Sequence, residues 1–228
     1  MMTTLYLVRH GEALGNKLQR FHGHTDSDIT ENGEAQLRLL AKRFAEMPID
    51  VIVSSDLRRT KATAKAINTH HSVEIELDSQ LREINGGQWE DMAWSDVEIA
   101  YPKQSGHWNS SPHLAELPGG ESMRGFEARV IPAIKRIIEK HRGKRVAVST
   151  HGTVIRVLQC WCMGLDLSEV NRVAWCENTS ITQVEFDEAM KPKILRLSDD
   201  AHLPEVNHTM RKQAFWVAYQ EQYGEENV

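Results

Sequence analysis

Cysteine is scarce in this sequence. The 228 residues include three, Cys160, Cys162 and Cys176, and a small odd number argues against a framework of disulfide bonds. Cys160 and Cys162 fall in one predicted helix, where residues i and i+2 do not share a face, so they do not suit a redox or zinc pair. We expect buried structural thiols.

The sequence also lacks a surplus of positive charge and a long hydrophobic run. It has 27 Lys and Arg residues against 32 Asp and Glu, a formal net charge of −5, whereas a nucleic-acid-binding domain usually carries a basic surplus. The first apolar run, from Leu5 to Val8, is too short for a signal peptide or a membrane span. We therefore expect a soluble cytoplasmic protein whose partners include neither nucleic acid nor a membrane.

The sequence is instead rich in alternating strand and helix patterns. Helical spacing of apolar residues predicts four helices, at 30–47, 56–68, 121–141 and 152–164, with Thr30 as a cap on the first. Strands alternating with helices predict an α/β fold with a largely parallel sheet covered on both faces. The six segments rich in β-branched residues that predict strands are 5–8, 50–55, 73–77, 145–150, 181–186 and 193–197.

The length and the remaining segments predict one domain spanning residues 1–228. Residues 84–118 are rich in Trp, Pro, Ser and Gly and have weak periodicity, so we interpret them as an inserted lid. Residues 205–228 are predicted to form an amphipathic helical tail with an acidic end. An edge strand or this tail offers a surface for a homodimer, and the sequence leaves the oligomeric state open.

Polar side chains follow three of the predicted strands, at the point where each strand ends. They are Arg9-His10, Ser54-Ser55 and Thr150-His151. Ligands of open α/β sheets bind outside the carboxyl ends of the strands. We therefore expect these residues to lie at one rim of the sheet.

The residues expected at this rim suit phosphoryl transfer. His10 and His151 each precede a glycine, which lets the backbone approach a ligand closely. Arg58 falls in the first turn of a helix, where exposed N–H groups favour an anion. With Arg9, these side chains can neutralise a phosphoryl group, and one histidine nitrogen can attack phosphorus. A protonated Glu83 can then donate its proton to the departing oxygen.

Each of these residues also has a structural interpretation when taken alone. A lone histidine at a strand end is often a hydrogen-bonded residue of the fold. One of Arg58 and Arg59 is expected to lie on a solvated helix face, and Glu83 can pair with Arg82. The combination of residues at equivalent strand ends favours a functional site.

Four segments in order, LVRHGEALGN, SSDLRRT, LREINGGQWE and STHGTVIR, resemble motifs of the histidine phosphatase superfamily, specifically its phosphoglycerate-mutase-like branch. The resemblance extends over about residues 5–200 and implies a three-layer α/β/α sandwich. Its sheet is mostly parallel and six-stranded, with one antiparallel strand. The resemblance implies that His10 becomes phosphohistidine and that Glu83 donates a proton and then activates water. The phosphate-binding residues that it implies are Arg9, Asn16, Arg58, His151 and Gly152.

The sequence departs from the family pattern in the loop FHGHTDSDIT, which borders the substrate in relatives. His22, followed by Gly23, stands where the family often has glutamine. Three of the six tryptophans, Trp89, Trp94 and Trp108, lie in the predicted lid and either fill its core or cover the leaving group. We regard His22, Gly23, Trp89 and Trp108 as candidates for substrate specificity.

The charge of the predicted lid distinguishes between two possible activities, that of a phosphomonoesterase and that of a mutase. A mutase must hold a second anionic group, but residues 84–118 contain one lysine and five acidic residues, a net charge of −4. We therefore expect a phosphomonoesterase that uses no metal or cofactor and acts on a small phosphorylated metabolite. A cofactor-dependent phosphoglycerate mutase is the alternative, because four other basic side chains could approach the site: His107, His113, His208 and Arg211.

Two further alternatives come from other classes of protein. A non-catalytic module that binds phosphorylated ligands would keep the pocket without turnover, but the complete set of His10, Glu83 and His151 argues against it. A metal hydrolase is disfavoured, because neither His22-x-His24 nor His70-His71 has the spacing of a zinc motif or an evident third ligand.

Overall fold

Six strands form one sheet in the computed structural model of the protein, which describes residues 1–173 and 175–213. Each strand lies within two residues of a segment predicted from its β-branched composition. The strands are β1 (Thr3–Arg9), β2 (Val51–Ser54), β3 (Ile75–Leu77), β4 (Arg145–Thr150), β5 (Ile181–Phe186) and β6 (Pro192–Asp199).

The strand order is β3-β2-β4-β1-β5-β6. β1 pairs in parallel with β4, β4 with β2 and β2 with β3. β5 runs antiparallel to both of its neighbours, β1 and β6, so it is the one strand of opposite direction. The predicted mostly parallel, six-stranded sheet with one antiparallel strand is confirmed.

The predicted helices are present, and two of them begin at a side-chain cap. The Thr30 hydroxyl accepts a hydrogen bond from the Gly33 N–H at 3.0 Å, and Ser122 caps another helix in the same way. The helices are α1 (Leu14–Lys17), α2 (Glu31–Phe44), α3 (Arg58–Ile67), α4 (Trp94–Ala100), α5 (Pro102–Ser110), α6 (Met123–Lys140) and α7 (Gly152–Cys162).

Alternation of side chains along β1 divides the core into two layers. Leu5 and Leu7 belong to a large cluster that includes residues of α6 and α7, whereas Tyr6 and Val8 belong to a cluster with residues of α2 and α3. Helices therefore cover both faces of the sheet, as a three-layer sandwich requires. No helix among the described residues has the length and apolar composition needed to cross a membrane.

The predicted lid, residues 84–118, contains two short helices, α4 and α5, that its weak periodicity did not predict. The described part of the predicted tail forms two single 3-10 turns, Glu205–Asn207 and Met210–Lys212, instead of an α-helix. Residues 214–228 of that tail lie outside the described residues.

Candidate active site

The carboxyl ends of β1, β4 and β2 are adjacent, because β4 lies between the other two strands. They bring His10, His151 and Ser55 together beside a cavity of about 470 Å³. The cavity extends from buried residues beside His10 to the exposed lid residues Glu98 and Asn109. The predicted residues that line it are Arg9, His10, Asn16, His22, Glu83, Trp108 and Gly152.

The His10 ring is oriented by the backbone that follows it. Its Nδ1 lies 2.8 Å from the Gly11 carbonyl oxygen, and a carbonyl can only accept, so Nδ1 carries the proton. Nε2 of a neutral ring is then left with its lone pair. Burial, with the guanidinium groups of Arg59 and Arg9 nearby, holds the pKa of His10 well below its ordinary value. The ring is therefore neutral and nucleophilic at neutral pH.

His151 lies behind His10, with its ring centroid 5.3 Å from that of His10. It is the N-cap residue of α7, and its Nε2 is 2.9 Å from the Ser55 hydroxyl. Its Nδ1 is buried and has no hydrogen-bond partner among the described residues. Burial, followed by the charges of Arg59, His10 and Arg9, holds the pKa of His151 well below its usual range. One nitrogen of this ring is thus available for a ligand.

Two buried arginines supply positive charge to this end of the cavity. Arg9 donates from Nη1 to the Cys176 carbonyl at 2.6 Å, and its Nε has no partner among the described residues. Arg59 donates to the carbonyls of Thr25 and Gly23 at 2.8 and 2.7 Å. Burial lowers the pKa of Arg59 to about 10, so its guanidinium group remains charged at neutral pH.

The structure corrects the sequence-based choice between the two adjacent arginines. Arg58 does not line the cavity; its side chain is 61% exposed and pairs with Asp26 and Asp28 at 3.6 and 3.2 Å. Arg59 is 1% exposed and lines the cavity. Arg59 lies on the buried face of α3 with Thr60, Thr63, Ala64 and Ile67, and which face of this helix is buried depends on how it packs.

Glu83, Asn16 and Gly152 all lie at the cavity, as expected. Both carboxylate oxygens of Glu83 accept backbone N–H groups, from Ile84 at 2.9 Å and from Thr153 in the first turn of α7 at 3.0 Å. The side-chain oxygen Oδ1 of Asn16 accepts from the Ala13 N–H at 3.0 Å, which leaves the side-chain NH2 group to donate. This arrangement places a carboxylate and an amide donor beside the two histidines.

Two of the four specificity candidates line the cavity and two do not. His22 lines it, and its ring is held between the Ser27 hydroxyl and the Asp91 carboxylate at 2.9 and 3.0 Å. Trp108 lines it as well. Gly23 instead packs against backbone, because a Cβ there would lie 2.0 Å from the Ile84 carbonyl oxygen. Its role is to permit this close approach.

Trp89 is the other candidate that the structure places elsewhere. It is fully buried in an aromatic cluster formed by Phe21, Trp89, Trp94 and Trp108, with its ring centroid 5.7 Å from that of Phe21 and 6.2 Å from that of Trp108. Trp94 and Trp108 present surface to the cavity from the same cluster. Trp89 therefore fills the core of the lid, whereas Trp94 and Trp108 also border the cavity, and a contact between either ring and the leaving group stays a prediction.

A sequence profile of the histidine phosphatase superfamily (branch 1) matches residues 5–200 of the chain. The chain belongs to this superfamily. The resemblance inferred from four short motifs is thereby confirmed over most of the length of this histidine phosphatase.

Similar proteins cover almost the same length. Phosphoserine phosphatase 1 of Hydrogenobacter thermophilus is 33% identical over 204 residues. The alignment covers 90% of the present chain and 96% of that relative. The probable phosphoglycerate mutase GpmB of Salmonella choleraesuis is 32% identical over 197 residues, covering 82% and 87% of the two chains. The structure of Bacillus stearothermophilus YhfR aligns with a TM-score of 0.84 at 30% identity, covering 88% of this chain and 98% of that one.

Sequence reasoning missed several residues that support the site of this histidine phosphatase. The Asn178 side chain donates to the His10 carbonyl at 2.8 Å. Arg20 and Arg156 line the cavity outside the lid. None of these residues adjoins a histidine in the sequence, so only the fold brings them to the site.

Proposed function

We propose that the protein is a metal-independent phosphomonoesterase that hydrolyses small phosphorylated metabolites through a phosphohistidine at His10. The observation that carries the proposal is the neutral His10 ring with its proton on Nδ1 and with the buried guanidinium groups of Arg59 and Arg9 nearby. A nucleophile for phosphorus needs a free lone pair, and a phosphoryl group needs nearby positive charge. The names of phosphatase relatives support the same activity.

The proposed reaction proceeds by two displacements at phosphorus. In the first, His10 Nε2 attacks phosphorus, the bond from phosphorus to the ester oxygen breaks, and a protonated Glu83 gives its proton to the departing alcohol. In the second, Glu83 takes a proton from water, the water oxygen attacks phosphorus, and the bond to Nε2 breaks to release inorganic phosphate. Arg9, Arg59 and the free nitrogen of His151 would stabilise the charge on the phosphoryl oxygens.

One observation favours a phosphoglycerate mutase as a second candidate. Arg20 and Arg156 line the cavity, so positive charge beyond the phosphoryl site does not depend on the lid. Against this, the Arg20 guanidinium group lies 3.4 Å from the Asp91 carboxylate, whose charge offsets its own. His107, His113, His208 and Arg211, which the sequence offered as extra cations, are not among the described residues that line the cavity. We therefore favour hydrolysis.

The test is a phosphate-release screen across phosphomonoesters at neutral pH in the presence of EDTA, with His10→Asn as control. An asparagine NH2 can still donate to the Gly11 carbonyl, but the variant has no nucleophilic ring nitrogen. We expect release from the wild type alone, together with an acid-labile phosphoenzyme that the variant does not form.

The screen also distinguishes the alternatives. Interconversion of 3- and 2-phosphoglycerate that depends on 2,3-bisphosphoglycerate, without net release of phosphate, would favour a mutase. Binding of phosphate esters without turnover or phosphoenzyme would favour a non-catalytic module. Loss of activity on chelation would contradict a metal-independent mechanism.

A further inference from the structure

The segment Cys176–Thr179 fixes the backbone around His10. Its Cys176 carbonyl accepts from Arg9, its Asn178 side chain donates to the His10 carbonyl, and the Thr179 N–H donates to the Arg9 carbonyl at 3.0 Å. Thr179 has a φ of 60°, a conformation that is unusual for a β-branched residue and persists only where the surroundings hold it. This segment is therefore a rigid support behind the nucleophile.

Glu177 belongs to the same segment, but its side chain binds a different part of the chain. The carboxylate is 2% exposed and accepts the N–H of Asn178 at 2.8 Å, of Met210 at 3.0 and 2.9 Å, and of Arg211 at 3.3 Å. Among the described residues, no basic side chain forms an ion pair with it. A buried carboxylate is costly to desolvate, so this one depends on its backbone donors.

Met210, whose backbone N–H Glu177 accepts, belongs to a segment that borders the cavity. We define residues 208–213 as the wall segment, of which Met210 and Gln213 line the cavity. Gln213 Nε2 donates to the backbone carbonyl of Asn16 at 3.2 Å, so the wall segment also contacts α1, the short helix that follows His10. The Thr209 hydroxyl donates to Glu12 Oε2 at 2.7 Å, and this gives the wall segment a second attachment.

We propose that Glu177 is a positioning residue that fixes the wall segment relative to His10 and thereby determines which leaving groups the cavity accepts. The proposal rests on the proposed phosphatase function. The Glu177 carboxylate touches neither the phosphoryl residues nor the cavity; it acts through Met210 and Gln213. Its removal should change binding of the alcohol part of a substrate and leave phosphoryl binding intact.

The test is Glu177→Gln in the full-length protein. An amide keeps one acceptor oxygen but places an NH2 donor against the N–H groups of Met210 and Arg211. Methyl and n-hexyl phosphate are suitable probes, because their alcohols differ in reach and little in acidity. We expect KM for hexyl phosphate to rise roughly tenfold, the effect of one lost charge-assisted hydrogen bond. KM for methyl phosphate and the inhibition constant of inorganic phosphate should stay within about twofold of the wild type.

A matched control and a second variant separate positioning from general damage. Glu76→Gln removes a carboxylate that binds Lys140 and His141 away from the cavity, and it should leave the hexyl-to-methyl ratio of KM unchanged. Met210→Ala should raise that ratio by itself. Because Glu177 acts through the wall segment, the effects of Glu177→Gln and Met210→Ala should be less than additive.

An equal rise of both KM values and of the phosphate inhibition constant would overturn the proposal, since it would indicate a general structural defect. An unchanged ratio in Met210→Ala would also overturn it, and this variant decides the matter if Glu177→Gln does not fold. Failure of the wild type to release phosphate from any ester would instead overturn the proposed function itself.

Discussion

A single backbone carbonyl decides which nitrogen of His10 can react. The Gly11 oxygen accepts a hydrogen bond from Nδ1–H, and burial keeps the ring neutral, so in the proposed reaction Nε2 needs no base to remove a proton before it attacks. The same burial would disfavour the positive charge that a histidine gains on binding phosphate. Arg9 and Arg59 cannot relieve this cost until an anion lies between them. We infer that the positively charged His10 ring and the anionic phosphoryl group are stabilised at the same step, when the phosphoryl group binds beside Arg9 and Arg59.

Adjacent arginines of α3 offer a matched pair of substitutions. Arg59→Ala removes the buried guanidinium group beside His10 and should lower kcat/KM by about 10²–10³-fold, the effect of losing one donor to transition-state charge. Arg58→Ala removes an exposed group paired with Asp26 and Asp28, and it should change kcat/KM by less than about threefold. Steady-state kinetics on one ester checks both. A larger loss in Arg58→Ala would contradict the assignment of Arg59 to the phosphate.

The role of Glu83 can be tested by the acidity of the leaving group. Glu83→Gln should lower kcat for alkyl phosphates by about 10²-fold or more, because alkoxides need protonation as they depart. For p-nitrophenyl phosphate the loss in the first displacement should be less than about tenfold, since p-nitrophenolate departs without a proton. Pre-steady-state bursts isolate this step from hydrolysis of the phosphoenzyme. Equal losses on both esters would contradict a general-acid role.

Helix α7 and the lid both contribute to the site. The first turn of α7 supplies the Thr153 N–H to Glu83, and His151 caps the same helix, so one helix end orients two functional side chains. The lid supplies the aromatic cluster that borders the outer part of the cavity. The lid is therefore both a small hydrophobic core and part of a binding surface.

Trp89 and Trp108 should show these two roles separately. Trp89→Ala removes a fully buried ring and should reduce the free energy of unfolding by about 3–5 kcal/mol. Trp108→Ala removes a ring that reaches the cavity, and it should raise KM for esters with a large alcohol while costing less stability. Urea denaturation and KM measurements check the pair. A Trp108→Ala variant with unchanged KM for every ester would show that this ring serves packing alone.

The whole molecule should become less stable as the solution is acidified below neutral pH. Burial lowers the pKa of His10, His151 and His202, the last to about 4, whereas unfolded histidines titrate near pH 6.5. Below about pH 6.5 the unfolded chain therefore binds more protons than the folded one. The contribution of these neutral rings to the free energy of unfolding is complete above that pH. It declines as the pH falls toward the lower pKa values of the folded state.

Urea denaturation at pH 7.5 and pH 5 measures this effect. Between these pH values, each buried histidine should account for a decrease in the free energy of unfolding of the order of 1–2 kcal/mol. The asparagine in His10→Asn does not titrate, so the free energy of unfolding of this variant should decrease less, by the amount that one histidine contributes. The exposed His70→Asn serves as the control and should retain the wild-type decrease. An identical pH dependence in His10→Asn and the wild type would contradict this account.

The strands, the four main helices and the two histidines were predictable from the sequence because their signals are local. Buried β-strands carry β-branched runs, and amphipathic helices repeat every 3.6 residues, whatever the rest of the chain does. His10 and His151 directly follow two such strands. Parallel pairing then places them at one rim, so chain position was enough to predict their proximity.

For the other side chains, tertiary structure alone decided which of them reach the cavity. Arg58 and Arg59 differ by about 100° around a helix, so the choice between them depends on where α3 packs. Trp89 and Trp108 pack on the same Phe21 ring, but the fold of the lid buries Trp89 and brings Trp108 to the cavity. Glu177 meets Met210 across 33 residues of chain. Contacts between residues this far apart in the sequence depend on the path of the folded backbone, and no local sequence pattern predicts them.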